Sequence, residues 1–309
     1  MTGRHILLSE VGLRDGLQSI EPIMPTAAKK AWIAAEYAAG VREIEVGSFV
    51  PAKVLPQLAD TAELVAYART FRDLTVAVLT PNAKGAARAI EAGAHKITMP
   101  LSASETHNLR NVNRTHEQAL EEARKIAAMI RAEHPTRRPK FEGGLSTAFG
   151  CTIEGDVSEM KVLQLAEGLM AAGCDEIGLS DTTGYANPAQ VRRLMRHTRE
   201  VVGVDACSGI HLHNTRGLGL ANALAALEEG VETLDSSLCG IGGCPFAPGA
   251  SGNIVTEDLA FMLDAMGFET GINLPALLEV RTILRQALPA SVELYGFVPE
   301  AGLPKTQLR

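Results

Sequence analysis

The stretch Ala38-Ala39-Gly40-Val41-Arg42-Glu43-Ile44-Glu45-Val46 decides the fold. Two alanines close a helix, a glycine follows in a position suited to the left-handed conformation, and a β-rich run begins within a few residues. The pattern returns as Glu91-Ala92-Gly93-Ala94-His95-Lys96-Ile97-Thr98-Met99, as Ala171-Ala172-Gly173-Cys174-Asp175-Glu176-Ile177-Gly178-Leu179, and as Glu228-Glu229-Gly230-Val231-Glu232-Thr233-Leu234-Asp235-Ser236. Between these copies, further β-rich runs bring the strand starts to eight, near His5, Glu43, Leu74, Lys96, Lys140, Glu176, Gly209 and Thr233. Helical segments separate them, for example Thr26–Ala39, His116–Glu133, Val157–Ala172 and Pro188–Val201, the last with Asn187 as N-cap and Pro188 in the first turn.

Strands that alternate with helices imply right-handed crossovers and a parallel sheet. Eight units fit a closed α/β barrel, the (β/α)8 TIM barrel, with an additional C-terminal helical segment at Leu274–Ala287 outside it. We expect residues 1–309 to form a single catalytic domain with a barrel core over about 5–270. The alternative is an open doubly wound sheet, which usually carries a glycine-rich phosphate loop after its first strand; no such loop is found here.

Of the 309 residues, 46% are hydrophobic and 21% charged, enough for a large core. A net charge of −7 argues against a nucleic-acid surface. No apolar run reaches the roughly 20 residues of a membrane span, and Met1–Glu10 lacks the order of a signal peptide. Cys151, Cys174, Cys207, Cys239 and Cys244 are odd in number and show no CxxC spacing, so a reducing, cytoplasmic setting is expected.

Barrel active sites lie at the C-terminal ends of the strands. On that rim fall Arg14-Asp15-Gly16, Glu45, Ser146-Thr147, Ser180-Asp181-Thr182 and His211-Leu212-His213-Asn214. His211 and His213, two apart in a strand, share a face and suit a metal. Taken singly, Asp15-Gly16 also reads as a turn, Arg14 as a surface charge and Asp181 as a helix-entry residue. Glu45 in an apolar strand needs a partner, and Arg14 is the candidate. The segment Cys239–Asn253 contains Gly240, Gly242, Gly243, Gly249 and Gly252, a lid or a close backbone approach, and Cys244 within it is better placed for chemistry than a core thiol.

These residues carry a resemblance. Glu10-Val11-Gly12-Leu13-Arg14-Asp15-Gly16-Leu17-Gln18, Ile44-Glu45-Val46-Gly47-Ser48-Phe49-Val50, Leu79-Thr80-Pro81-Asn82, His211-Leu212-His213-Asn214-Thr215 and the run from Gly242 to Asn253 resemble motifs of the 3-hydroxy-3-methylglutaryl-CoA lyases, in the DRE-TIM metallolyase superfamily. The match runs from Ser9 to Ala287, and the Cys244 loop is its most specific part; the other motifs are shared with Claisen-condensing relatives. The resemblance implies Mg²⁺ or Mn²⁺ held by Asp15, His211, His213 and Asn253, an acyl-CoA substrate, Arg14 at the thioester oxygen and a catalytic Cys244. Asp15 or a metal-bound hydroxide would serve as the base of a retro-Claisen cleavage. Gln18, Glu45, Ser146, Thr147, Asp181 and Glu257 complete the expected substrate contacts and supporting residues. A homodimer or higher homo-oligomer is expected from symmetry statistics and from the analogy.

Three departures bear on the acyl group. Gln18-Ser19-Ile20 stands where relatives continue Gln-Asn-Glu. Gly143-Gly144-Leu145-Ser146 stands where a Tyr commonly precedes Val-Ser, so both glycines are expected to widen the pocket. His107 in His107-Asn108-Leu109-Arg110-Asn111 reads as a surface loop residue. A lyase for citramalyl-CoA or a larger 3-substituted glutaryl-CoA, and a synthase of the isopropylmalate or homocitrate type, are the alternatives.

Overall fold

The four repeat glycines do what their position demands. Gly40, Gly93, Gly173 and Gly230 have φ of 103°, 82°, 105° and 88°, a region that other residues enter only at a cost. Each lets a helix stop and the chain turn into the next strand. The computed structural model describes residues 3–242 and 252–297. Within them, strands β1 (Leu7–Glu10), β2 (Glu43–Ser48), β3 (Thr75–Leu79), β4 (Lys96–Ser102), β5 (Lys140–Ser146), β6 (Glu176–Asp181), β7 (Gly209–Leu212) and β8 (Thr233–Ser236) are parallel and close into a barrel, β8 pairing back onto β1.

Helices α1 (Thr26–Ala38), α2 (Thr61–Ala68) and α3 (Ala83–Ala92) follow the first three strands. The β4–β5 crossover holds two, α4 (Glu105–Val112) and α5 (His116–Ala132). Then come α6 (Glu159–Ala172), α7 (Pro188–Val202), α8 (Gly219–Glu228), α9 (Thr256–Ala265) and α10 (Leu274–Ala287). The Asn187 side chain caps α7 by accepting from Gln190 N, and Thr115 and Gln118 form a capping box on α5. The expected C-terminal helix is α10, which packs against α1 and α9 outside the barrel. No helix among the described residues is long and apolar enough to cross a membrane.

Strand alternation divides apolar from polar. In β2, Ile44 and Val46 are fully buried in the core, while Glu43 and Glu45 line a cavity on the barrel axis. The apolar layer, with Trp32, Ile33, Leu64 and Leu194 from the helices, supplies the hydrophobic stabilisation. The axial layer is unusual for a barrel, whose interior is normally filled by branched side chains. Here Ser9, Ala77, Gly144, Gly178 and Gly209 leave a cavity of about 470 Å³ that runs down from the strand ends. At its lower end Lys96 Nζ lies 2.8 Å from Glu142, 3.0 Å from Glu176 and 3.5 Å from Glu43. Burial opposes its charge, yet these carboxylates hold Lys96 well above the ordinary lysine range.

Candidate active site

On the rim, Arg14-Asp15-Gly16 is not strand: β1 ends at Glu10, and Gly12–Gly16 form a π-helical turn. Such turns are wider than an α-turn and recur at functional sites. Three consecutive amides, those of Arg14, Asp15 and Gly16, converge on the Val11 carbonyl at 3.1, 2.7 and 3.4 Å. Glu10 anchors the turn from below: its Oε1 accepts from Gly12 N at 2.8 Å and Leu238 N at 3.0 Å, and its Oε2 from the Thr256 hydroxyl at 2.7 Å. One carboxylate thereby ties the Arg14-Asp15 turn to the exit of β8 and the start of α9, and burial pushes its pKa up to about 7.

Only glycine fits at position 12. A Cβ there would lie 2.6 Å from Glu10 Oε1, 2.8 Å from the Trp32 ring and 2.9 Å from Ser237 Oγ. Gly12→Ala is expected to cost about 1–3 kcal/mol of stability by overpacking, read as a lower urea midpoint at an unchanged slope.

Arg14 sits between two carboxylates. Its Nε donates to Glu45 Oε2 at 2.6 Å and its Nη1 to Asp15 Oδ1 at 2.6 Å, so the partnership expected for Glu45 is present. Gln18 Nε2 donates to the same Asp15 oxygen at 2.7 Å. Burial would raise Asp15, but Arg14 and the two histidines overcome it and hold the carboxyl well below the usual range. For Glu45 the balance is opposite: burial outweighs Arg14 and pushes its pKa up to about 7.

His211 and His213 face Asp15 from the other side of β8, the strand between β7 and β1. β7 ends at Leu212, so His213 lies one residue beyond the strand, where a bridge to Asn253 fixes its backbone. Asp235, paired with His211 in the β7–β8 register, sets its Oδ2 3.0 Å from His211 Nδ1. That contact turns His211 Nε2 toward His213 Nε2, 3.0 Å away. Asp15 Oδ2 is 3.6 Å from His213 Nε2, and one ligand atom from each of Asp15, His211 and His213 falls within 4.8 Å of the others. Two unprotonated imidazole nitrogens at 3.0 Å repel unless a proton or a cation lies between them. Asn253 Nδ2 donates to Asp15 Oδ2 at 2.8 Å, while its buried Oδ1 has no hydrogen-bond partner among the described residues. Rotating the amide by half a turn brings that oxygen to the Asp15 side. This donor set of imidazole nitrogen, carboxylate and amide oxygen fits Mg²⁺ or Mn²⁺.

Burial favours neutral His213 and lowers its pKa. Burial also opposes charge on His211, but Asp235 and Asp15 prevail and raise it. A proton on His211 excludes a cation, so divalent-metal affinity is expected to fall as pH drops through that raised pKa. Mn²⁺ titration calorimetry should give binding weaker by about tenfold or more at about pH 6 than at about pH 8.

The HMGL-like family model matches residues 5–284. The chain belongs to the HMGL-like family. It is 40% identical over 285 residues to the mitochondrial hydroxymethylglutaryl-CoA lyase of Rattus norvegicus, covering 92% of this chain and 86% of that one. Among solved structures, it resembles an HMG-CoA lyase from Acinetobacter baumannii in complex with coenzyme A and 3-methylmalate, with a TM-score of 0.90, 40% identity and coverage of 97% and 96%. The hydroxymethylglutaryl-CoA lyase from Pseudomonas aeruginosa gives a TM-score of 0.87 at 35% identity, with coverage of 94% and 95%.

Seven expected residues of this HMGL-like chain line one cavity: Arg14, Asp15, Gln18, Glu45, Ser146, His211 and His213. Asn253 adjoins it through Asp15. Cys244 lies outside the described residues. Three expected residues stand behind the cavity instead. Thr147, at φ 54°, receives the Ser104 amide on its hydroxyl at 3.1 Å. Asp181 accepts from Tyr185 N and Ala186 N in the turn before α7, the helix-entry role, and burial pushes its pKa up to about 6. Glu257 is buried in an ion pair with Arg281 and accepts from Cys239 N. His107 is the opposite case. It is no surface loop residue: it is 2% exposed, in the first turn of α4, and lines the cavity. Asp235 and Lys96 also line the cavity and are not among the expected residues. The alternation Thr233-Leu234-Asp235 already put Asp235 on the inward face.

Proposed function

We propose that this chain cleaves 3-hydroxy-3-methylglutaryl-CoA to acetyl-CoA and acetoacetate, using Mg²⁺ or Mn²⁺ held by Asp15, His211, His213 and Asn253. The observation that carries the reading is the convergence of Asp15, His211 and His213 within 4.8 Å, with Arg14 bonded to Asp15 on the same wall. When bound, the cation supplies Lewis acidity to the substrate's hydroxyl and acyl oxygens. The rest is work for the side chains. The C3 hydroxyl gives its proton to a base, for which Asp15 is the candidate in this cavity, the C2–C3 bond breaks, its electron pair enters the thioester enolate, and a proton then arrives at C2.

Arg14 is built to meet the charge that appears on the thioester oxygen. Glu45 and Asp15 occupy its Nε and Nη1, which fixes the guanidinium plane before substrate arrives and leaves Nη2 unused by either contact. Preorganised donors of this kind are strongest in a water-excluded cavity. Asp15, held ionised by Arg14 and the two histidines, is ready both to ligate the cation and to take the hydroxyl proton. Cys244 is the proposed donor of the proton to C2. The buried thiols Cys151, Cys174, Cys207 and Cys239 support a reducing, cytoplasmic setting, and we take residues 1–309 as one catalytic unit that assembles as a homodimer or higher homo-oligomer.

The test is product analysis. Purified protein with Mn²⁺ should convert 3-hydroxy-3-methylglutaryl-CoA into acetyl-CoA and acetoacetate in equal amounts. Consumption of acetyl-CoA with a 2-oxo acid, without any cleavage, would place the chain with the Claisen synthases instead.

A further inference from the structure

Three buried carboxyl groups stand behind the Arg14-Asp15 turn, with one cation paired among them in the described residues. Glu10 on β1, Glu36 on α1 and Glu257 on α9 are each no more than 1% exposed, and Arg281 of α10 pairs with Glu257. Their support is unequal. Glu257 also accepts from Cys239 N at 3.0 Å, and Glu10 accepts from Gly12 N, Leu238 N and the Thr256 hydroxyl. Neither oxygen of Glu36 has a hydrogen-bond partner among the described residues, and Trp32 Nε1, one helical turn earlier, is equally unbonded.

An ionised carboxylate without donors is costly in such an interior. A neutral carboxyl is cheaper, because it carries its own donor and needs only an acceptor. Glu10 offers that acceptor. Its Oε1 takes two amides, while its Oε2 takes the Thr256 hydroxyl alone and has a lone pair to spare. Gly12 shows how closely α1 approaches: a Cβ there would lie 2.6 Å from Glu10 Oε1 and 2.8 Å from the Trp32 ring.

From this arrangement we infer that Glu36 is a positioning residue for the cleavage: its carboxyl proton, shared with Glu10, fixes the turn that presents Arg14 and Asp15. The role in cleavage rests on the lyase reading above, whereas the shared proton is a property of the fold alone. Glu36 does not line the cavity and acts only through Glu10. Glu10 holds the amide of Gly12, the first residue of the π-helical turn, and Arg14 and Asp15 follow within that turn. One more bond on Glu10 restricts the turn while Arg14 meets Glu45 and Asp15 at 2.6 Å.

The surrounding charges agree. Burial has the largest effect and raises the Glu36 pKa well above the usual carboxylate range; Glu10 from β1 and Glu257 from α9 push the same way, and Trp32 opposes them. Arg281, the cation from α10, is bonded to Glu257. Glu36 ionises in the ordinary range when the chain is unfolded. The folded protein keeps that proton longer, so stability falls as pH rises from the ordinary range toward the folded pKa, and levels off above it. There Glu36 becomes a second anion facing Glu10, the shared proton is gone, and the turn loosens. The rate should then fall on the alkaline side.

The experiment compares wild type, Glu36→Gln and Glu36→Leu by thermal unfolding and by steady-state kinetics at saturating Mg²⁺, from about pH 5 to about pH 9. Gln keeps a donor for Glu10 and cannot ionise. Its Tm relative to wild type should rise by about 3 °C or more across that range. Its kcat should match wild type near neutrality, with the alkaline fall moved up by about one pH unit or more. Leu suits the buried site but carries no donor, so its kcat should drop by about tenfold near neutrality with KM little changed. A Tm difference between Glu36→Gln and wild type that ignores pH overturns the shared proton. Wild-type kcat in folded Glu36→Leu, or an unmoved alkaline fall in Glu36→Gln, overturns the positioning role. Wild-type protein that cleaves no 3-hydroxyacyl-CoA overturns the lyase reading and the positioning role with it, while the thermal comparison still decides whether the proton is shared.

Discussion

Replacing His211 by Ala is expected to raise the Mn²⁺ concentration for half-maximal activity by more than about 100-fold, with kcat recoverable in part at high metal. The magnitude follows from comparison with a milder change. Loss of a partner that merely orients a metal-bound histidine typically costs about 10–100-fold in affinity. Asp235, 3.0 Å from His211 Nδ1, is such a partner here, so Asp235→Asn should fall in that interval. Removing the imidazole deletes a donor outright, leaves Asp235 without its partner, and leaves Asp15 and His213 to hold the cation with Asn253. The fold should survive, because His211 faces the cavity rather than the layer between strands and helices. Mn²⁺-dependent activity curves for wild type, Asp235→Asn and His211→Ala should therefore fall in that order. An unchanged metal requirement in His211→Ala would remove the imidazole from the donor set.

Arg14→Gln is expected to lower kcat at saturating Mn²⁺ by about 10²–10³-fold with a much smaller change in KM. Loss of a single preorganised donor to a developing oxyanion has that scale. Two effects act together. The charge that would meet the thioester oxygen is gone, and Asp15 and Glu45 are left facing each other without the guanidinium that bonds both at 2.6 Å. The Asp15 pKa should then rise from its depressed value, so the variant should also need a higher pH for metal binding. Arg14→Lys keeps the charge but not the fork that engages both carboxylates, and should recover only part of the rate. A purely structural Arg14 would instead lower stability and leave kcat per folded molecule intact, and steady-state kinetics beside thermal unfolding separates the two.

The barrel was legible because its repeat rests on local chemistry. Gly40, Gly93, Gly173 and Gly230 mark helix ends by a conformation that is cheap only for glycine, and all four adopt it. The Arg14–Glu45 pair was legible for a similar reason, since a buried carboxylate must find a partner. What sequence did not disclose depends on distances between elements. The π-turn at Gly12–Gly16 is imposed by Glu10 reaching Leu238 and Thr256, more than two hundred residues away. Whether Glu257 touches substrate or supports the site depends on its partners, Arg281 on α10 and the Cys239 amide, which sequence does not place. His107 lies in a helical first turn rather than a surface loop because Ser104, three positions earlier, is a good N-cap. Gly143 and Gly144 could be told apart only once the pleat direction of β5 was fixed: a Cβ on Gly143 would strike Leu169 Cδ1 of α6 at 2.8 Å, whereas Gly144 lines the cavity.

Asp15, His211 and His213 are proposed to hold the divalent cation on which cleavage depends. This is tested most directly by stripping the protein of metal, supplying 3-hydroxy-3-methylglutaryl-CoA, and following acetoacetate formation while Mn²⁺ is titrated in. No turnover is expected at the start, then saturation with a single class of site, absent from Asp15→Asn at the same Mn²⁺ concentrations. Full turnover by the stripped protein, or an identical titration for Asp15→Asn, would contradict it.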